Sequence, residues 1–374
     1  MPWQERSAMS MRREFVMLAR QEGANRRALC RRYGISPTTA YKWLARAAQP
    51  EEPFQDRSRR PRHSPKRTPA DMEQAVLRLR DQHPAWGGRK IARRLADLGH
   101  SEGPSPSTVT QILRRHDRLD AAESARHTPW QRFAREVPNA LWQMDFKGHF
   151  ALVRGRCHPL GVLDDCSRFA LALEACADEC AATVQACLTG VFRRYGLPAV
   201  LLADNGGPWG GGAAREHTQL GVWLMRLGIG LHHGRPYHPQ TQGKEERFHR
   251  TLAAEVITGR GLCDLAQAQR AFDAWRQVYN CERPHEALDL DVPAQHYRPS
   301  QRAFPEVLPA IEYAEGAIRK VQAGGLISFA NRNWRVGKAL IGYPVAVRPT
   351  TTDGVYEVFF CHERLTQIDL GEAP

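Results

Sequence analysis

Residues 156–177 read RCHPLGVLDDCSRFALALEACA, two apolar runs separated by a polar DDCSR. Runs of this length around a turn signal predict two strands joined at Asp164–Arg168. Working outward, NALWQMDFKG (139–148) predicts a strand before them, with Leu141 and Met144 as apolar positions. After them, AATVQACLTGVFRRYG (181–196) has the spacing of an amphipathic helix, and LPAVLLADNGG (197–207) that of a buried strand ending in a Gly-rich turn. HTQLGVWLMRLGI (217–229) predicts a helix, GLHHGRP (230–236) a short strand, and residues from about 244 to 279 a long helical region.

Three strands, helix, strand, helix, strand, helix is the order of a ribonuclease-H-like α/β catalytic core, an antiparallel set extended by parallel strands. It is expected to occupy residues 137–300 with its following helices. Residues 310–374 have a different texture. ISFANRNWRVG, YPVAVRPTTTDGVYEVFF and RLTQIDL predict short strands with a hairpin turn at Asp353–Gly354, and hence a small, SH3-like β-barrel.

Charge divides the chain. Residues 1–136 hold 28 Lys and Arg against 15 Asp and Glu, a net of +13, while the remaining 238 residues hold 25 of each. The whole formal excess is N-terminal, which suits a polyanionic partner such as DNA. NRRALCRRYGISPTTAYKWLARA (25–47) fits a helix-turn-helix. Its first helix would face Ala28, Leu29 and Tyr33 inward, Gly34 would take the turn, and Ser36 would cap a second helix carrying Tyr41, Trp43 and Leu44. Pro37, Thr38, Thr39 and Lys42 would form the exposed front that enters a major groove. WGGRKIARRLADLG (86–99) and SPSTVTQILRRH (105–116) give a second such unit, capped by Ser105 or Ser107, with Ser107 and Thr108 at its DNA-facing start. The two all-α units are expected at 1–48 and 70–120. A basic, Pro-rich linker (49–69), whose Arg59 and Arg60 would track phosphates, lies between them, and a second linker (121–136) follows.

Nine cysteines show no metal-ligand spacing, and Cys176 and Cys180 read as packing thiols of a reducing cytosol. No apolar run long enough to span a bilayer and no signal-peptide pattern is present, so a cytoplasmic, nucleoid-associated protein is expected, without a membrane or small-molecule partner.

Three carboxylates stand at element ends in the core: Asp145 in WQMDFKG, Asp204 in LLADNGG, and Glu245 or Glu246 in HPQTQGKEERFHRTL (238–252). The predicted topology sets the first beside the second, with the late helix across them. Converging acids repel unless they share cations, and oxygen-only ligands suit two Mg2+ or Mn2+ ions acting on a phosphodiester. At about 100° per residue, Glu245 falls within about 60° of Phe248 and about 20° of Leu252 on the apolar stripe, whereas Glu246 falls about 40° from Gln242 and Arg250 on a polar side. The freer aim at a shared site is therefore that of Glu246.

WQMDFKGHF, LDDCSRFALALEACADE, LLADNGGPWG and HPQTQGKEERFHRTL together resemble the DDE transposases with a retroviral-integrase-type core, most of all insertion-sequence family 481. YNCERPHEALDLDVPAQHY (279–297) resembles the segment that follows that core. The resemblance covers nearly the whole chain. It implies a metal-dependent polynucleotidyl transferase with two Mg2+ (or Mn2+) ions per site, held by Asp145, Asp204 and Glu246. It implies cleavage at transposon ends, strand transfer into target DNA, and an oligomer of at least two protomers on double-stranded DNA. Two departures stand out. Glu245 occupies a place that is commonly small or apolar. The 42-position interval from Asp204 to Glu246 is longer than in the wider superfamily, with PWGGGAAREH supplying a loop.

Around these acids, Asn205 either orients Asp204 or a phosphate, or makes a turn, and Trp209 either stacks on a base or anchors its loop. Lys244, Arg247 and Arg250 are expected on DNA phosphates, His238 and Gln240 in the active-site loop, and Asp164 and Asp165 in a structural turn. Arg283 and His285 are open between DNA and a partner subunit. Two rival readings remain: a DNA-binding regulator or domesticated transposase with an inactive core, and a ribonuclease-H-like nuclease that only hydrolyses.

Overall fold

The computed structural model describes residues 7–49, 54–56, 67–119, 135–210, 217–234 and 243–371. Arg59, Arg60, His238 and Gln240 lie outside them. The chain forms two compact units, Met1–Arg67 and Thr68–Pro374.

In the first unit, helices α1 (Ala8–Ala19), α2 (Arg26–Arg32) and α3 (Pro37–Arg46) enclose Phe15, Val16, Ala19, Cys30, Ala40 and Trp43. Each helix starts on a side-chain cap: Ser7, Asn25 and Ser36 accept from backbone N–H groups three residues on. Gly34, at φ +61°, turns α2 into α3. The inward face of α2 is Leu29, Cys30 and Tyr33, so Ala28 points to solvent instead of the core. Tyr41 is likewise 58% exposed, because Ala40 and Trp43 take the buried face of α3. Pro37, Thr38 and Lys42 are exposed, and Thr39 is half-buried with its hydroxyl 3.0 Å from Ser36 Oγ.

The second unit opens with α4 (Ala70–Gln82), α5 (Gly88–Asp97) and α6 (Pro106–Arg115), packed around Val76, Trp86, Ile91, Leu95, Val109, Ile112 and Leu113. Ser105 is the cap of α6, accepting from Thr108 N, while Ser107 only bonds the Ser105 hydroxyl. Gly88 is required where α5 crosses α6: a Cβ there would fall on the Thr110 hydroxyl and the Pro106 carbonyl. This module docks on the rest of its unit. Arg94 pairs with Glu282, Arg93 with Asp291 at 3.2 Å, and Val278 packs against its core.

The central sheet contains β1 (Trp142–Phe146), β2 (Phe150–Ala151), β3 (Arg156–Asp164), β4 (Ala170–Cys176), β5 (Val200–Ala203) and β6 (Gly230–His233). β3 lies antiparallel between β1 and β4, β2 pairs with the start of β3, and β1, β5 and β6 run parallel. Helices α7 (Ala181–Tyr195) and α8 (Gln219–Arg226) cover one face. There Trp142, Met144, Leu160, Val162 and Leu201 meet Leu188, Phe192 and Leu224. The other face carries α9 (Gly243–Leu252), which runs into one π-helical turn (Ala253–Ile257), and α10 (Leu265–Cys281). Phe248, Leu252, Phe272 and Trp275 pack there on Leu163, Ala170 and Leu173. Alternation along the strands thus feeds two cores, the arrangement of a ribonuclease-H-like sheet. A short α11 (Pro293–His296) follows.

The C-terminal strands are β7 (Ala317–Lys320), β8 (Leu326–Phe329), β9 (Arg332–Arg335), β10 (Pro344–Pro349), β11 (Val355–Phe360) and β12 (Glu363–Asp369). They form an open antiparallel sheet in the order β7-β10-β11-β12 and a separate β8-β9 hairpin turning on Ala330 and Asn331, both at positive φ. Among the described residues no ladder joins β12 to β7, and no closed barrel is found. Its core is continuous with α8 through Val222 and Met225. Among the described residues no helix is long and apolar enough to cross a membrane.

Candidate active site

The register between parallel strands β1 and β5 pairs Trp142 with Leu201 and Gln143 with Leu202. Continued by two positions, it sets Asp145 level with Asp204, at the carboxyl ends of neighbouring strands. Asp145 senses the charge of Asp204. Burial, and after it the Asp204 charge, push the Asp145 carboxyl up to about 7. Asp204 Oδ1 accepts from Gly206 N, and its carbonyl lies 2.8 Å from His233 Nδ1. Asn205 Nδ2 donates to Gly234 O at 2.7 Å, tying the loop after β5 to the end of β6.

Helix α9 crosses β1 and β3 beside this pair. Glu246 is exposed and, with Asp145, Phe146, Lys147, His249, Arg250 and Ala253, lines an open cleft of about 420 Å³. Glu245, one residue earlier, is fully buried, as its place on the apolar stripe requires. Among the described residues neither of its oxygens has a hydrogen-bond partner, and burial, then the Asp145 charge, hold its carboxyl well above the ordinary range. Burial therefore favours its neutral form inside the protein. His249 stands between the two carboxyls, its Nδ1 3.7 Å from Asp145 Oδ2 and its Nε2 3.7 Å from Glu245 Oε2. Both distances exceed a hydrogen bond. Burial, then the Lys147 charge, draw the imidazole down to about 4, so it is neutral.

Gly161 makes this packing possible. It pairs with Asp145 across β1 and β3, and a Cβ there would lie 3.0 Å from Glu245 Oε2, 3.1 Å from His249 Nε2 and 3.3 Å from Phe248 Cε1. The Glu245–His249 spacing of four residues on a helix, facing a glycine in an apolar strand, is the signal that sequence reasoning passed over.

Asp164 and Asp165 are buried and serve the turn between β3 and β4. Asp164 accepts from Ser167 N, Ser167 Oγ and Asn139 N; Asp165 accepts from Gln143 Nε2 and Arg135 N. Four further side chains are buried or half-buried. Lys244, expected on a DNA phosphate, has its ammonium tied to Asp165, and burial draws it down to about 8. Trp209 is no exposed stacking surface, since it is 2% accessible and its ring lies 5.7 Å from Phe146 at 28°. It anchors its loop. Arg283 and His285 are also buried, against Tyr279, which removes them from any exposed contact surface. Arg247 and Arg250 are exposed. Ser107 is exposed and Thr108 half-buried at the start of α6.

Asp145, Asp204 and Glu246 offer oxygen donors, and the repulsion between Asp145 and Asp204 is what a shared cation relieves. That pair fits a divalent ion, with Glu246 on the same cleft. In this conformation the three acids do not close on one point: among the described residues no group of three His, Cys, Asp or Glu side chains is near enough to hold a metal.

Family models match most of the chain. Residues 316–373 match the IS481 family transposase C-terminal domain. Residues 135–239 and 227–293 match two integrase core domain models. Residues 11–62 match a helix-turn-helix domain and 39–113 a homeodomain-like domain. An uncharacterized 39.2 kDa protein of insertion element IS476 from Xanthomonas euvesicatoria is 27% identical over 254 residues, covering 64% of this chain and 70% of that protein. An uncharacterized 31.7 kDa protein of insertion element IS407 from Burkholderia multivorans is 28% identical over 160 residues, covering 42% and 55%. Among solved structures, the catalytic core domain of BIV integrase is 25% identical, with 42% of this chain and 92% of that chain covered at a TM-score of 0.32.

Proposed function

On the premise that this chain belongs to the IS481 family of transposases, we propose that it cuts DNA at the ends of its own insertion sequence and joins them to target DNA. One geometric relation supports this reading: the register of the parallel strands β1 and β5, continued by two positions, brings Asp145 level with Asp204, and Glu246 lines the same cleft as Asp145. Asp145, Asp204 and Glu246 would hold two Mg2+ or Mn2+ ions, which supply an activated water or 3′-hydroxyl and neutralise charge on the phosphodiester. The protein's own part is placement. Arg247 and Arg250, exposed beside the acids, hold the DNA backbone, and buried His249, neutral at pH 7, brings no charge against the cleft floor.

The helix fronts at Thr38, Thr39 and Lys42 and at Ser107 and Thr108 would read the terminal inverted repeats. Joining two ends to one target calls for a homo-oligomer of at least two protomers on DNA, with the C-terminal sheet bridging DNA or protein. The test is incubation with Mg2+, a labelled duplex carrying the terminal repeat, and a plasmid, beside an Asp145→Ala variant. Joined product that vanishes in the variant supports the transposase. Specific binding without cutting supports the regulator, and cutting without joining supports the nuclease.

A further inference from the structure

The cleft holds a cation with no assigned task. Asp145 pairs with Gly161 across β1 and β3, and the Lys147 N–H donates to Pro159 O at 3.0 Å, so the same antiparallel register runs on to Lys147. Strand alternation then puts Lys147 on the same face as Asp145, about 7 Å further along. Its side chain is half-buried and lines the cleft with Asp145, Glu246 and Arg250. Yet among the described residues Lys147 makes no ion pair or side-chain hydrogen bond, and neither does Arg250. The contrast is Lys244, which is taken up by buried Asp165. The Lys147 charge is nevertheless felt inside the cleft, as the second cause of the lowered His249 pKa.

Two cations thus share one small cleft with two acids and pair with neither. Cations held in place without internal partners, beside acids suited to metal, fit a ligand that brings its own negative charge. We propose that Lys147 contacts a phosphodiester of the DNA strand lying in the cleft, across from Arg250, and so sets the strand against Asp145. The proposal rests on reading the cleft as a phosphoryl-transfer site. The phosphodiester belongs either to the element's end or to the target.

The test compares wild type, Lys147→Gln and Lys147→Arg. Binding of a duplex carrying the terminal repeat, and separately of plasmid DNA, is measured against salt concentration, and joining in Mg2+ is scored in parallel. For Lys147→Gln the slope of log K against log salt should fall by about one unit, with binding weakened about tenfold, while Lys147→Arg keeps the wild-type slope. A change confined to the terminal duplex assigns the phosphate to the element's end, and one confined to the plasmid assigns it to the target. Unchanged slopes on both DNAs overturn the contact, whatever happens to joining. Because the slopes need no turnover, they test Lys147 even if wild type joins nothing, an outcome that would defeat the transposase reading alone.

Discussion

Gly161 on β3 and Glu245 on α9 share a space that holds only one side chain: a Cβ on Gly161 would stand 3.0 Å from Glu245 Oε2. The glycine lets the helix approach the sheet, and the approach sets the buried acid behind Asp145. Gly161→Ala must push back three buried neighbours at once. It should destabilise the second unit by about 1–3 kcal/mol, read by thermal or denaturant unfolding. An unchanged midpoint would mean that α9 does not rest on β3 in this way.

Glu245 itself is costly. A buried carboxyl with no partner loses about 1–3 kcal/mol relative to an apolar side chain of similar shape. Glu245→Leu should therefore be neutral or stabilising. Its raised pKa gives a signed pH dependence. Below the ordinary glutamate range both folded and unfolded states are protonated. Above it the unfolded chain ionises first, so this residue lowers stability as pH rises towards the folded value. Unfolding midpoints of wild type and Glu245→Gln should diverge above that range, with wild type falling further.

Lys244 and Arg250 look alike in sequence and should behave in opposite ways. Lys244→Met leaves Asp165 buried without its cation and should cost about 1–3 kcal/mol of stability, with little change in the salt dependence of DNA binding. Arg250→Ala should spare the midpoint and lower the salt slope by about one unit. Reversed results would move Lys244 back to the DNA surface.

The second helical module is bound to the core by Arg94 to Glu282 and Arg93 to Asp291. Residues 68–371 should then unfold in one transition. Arg94→Glu should lower that transition or split it, and adding Glu282→Arg should restore it. Two transitions within residues 68–371 would show an independent module.

Much of this could be read from the chain, because periodicity and caps are local. The runs in RCHPLGVLDDCSRFALALEACA, the Ser36 and Ser105 caps, and the faces of α9 follow from neighbours within a few residues. What failed to be legible depends on distant partners. Lys244 meets Asp165 from 79 positions away, Trp209 finds Phe146, and Ala28 loses its place to Cys30 once α1 selects a face. The acids at 145 and 204 were visible as strand ends, but that they stand level depends on a parallel register that no local pattern encodes.

The most direct test of the central claim is the yield of joined product from Mg2+, a terminal-repeat duplex and a plasmid, measured for Glu246→Gln and Glu245→Gln side by side with wild type. Joining should be lost in Glu246→Gln and retained in Glu245→Gln. Joining that survives in Glu246→Gln, or disappears only in Glu245→Gln, would contradict the assignment of the cleft-facing glutamate as the third acid.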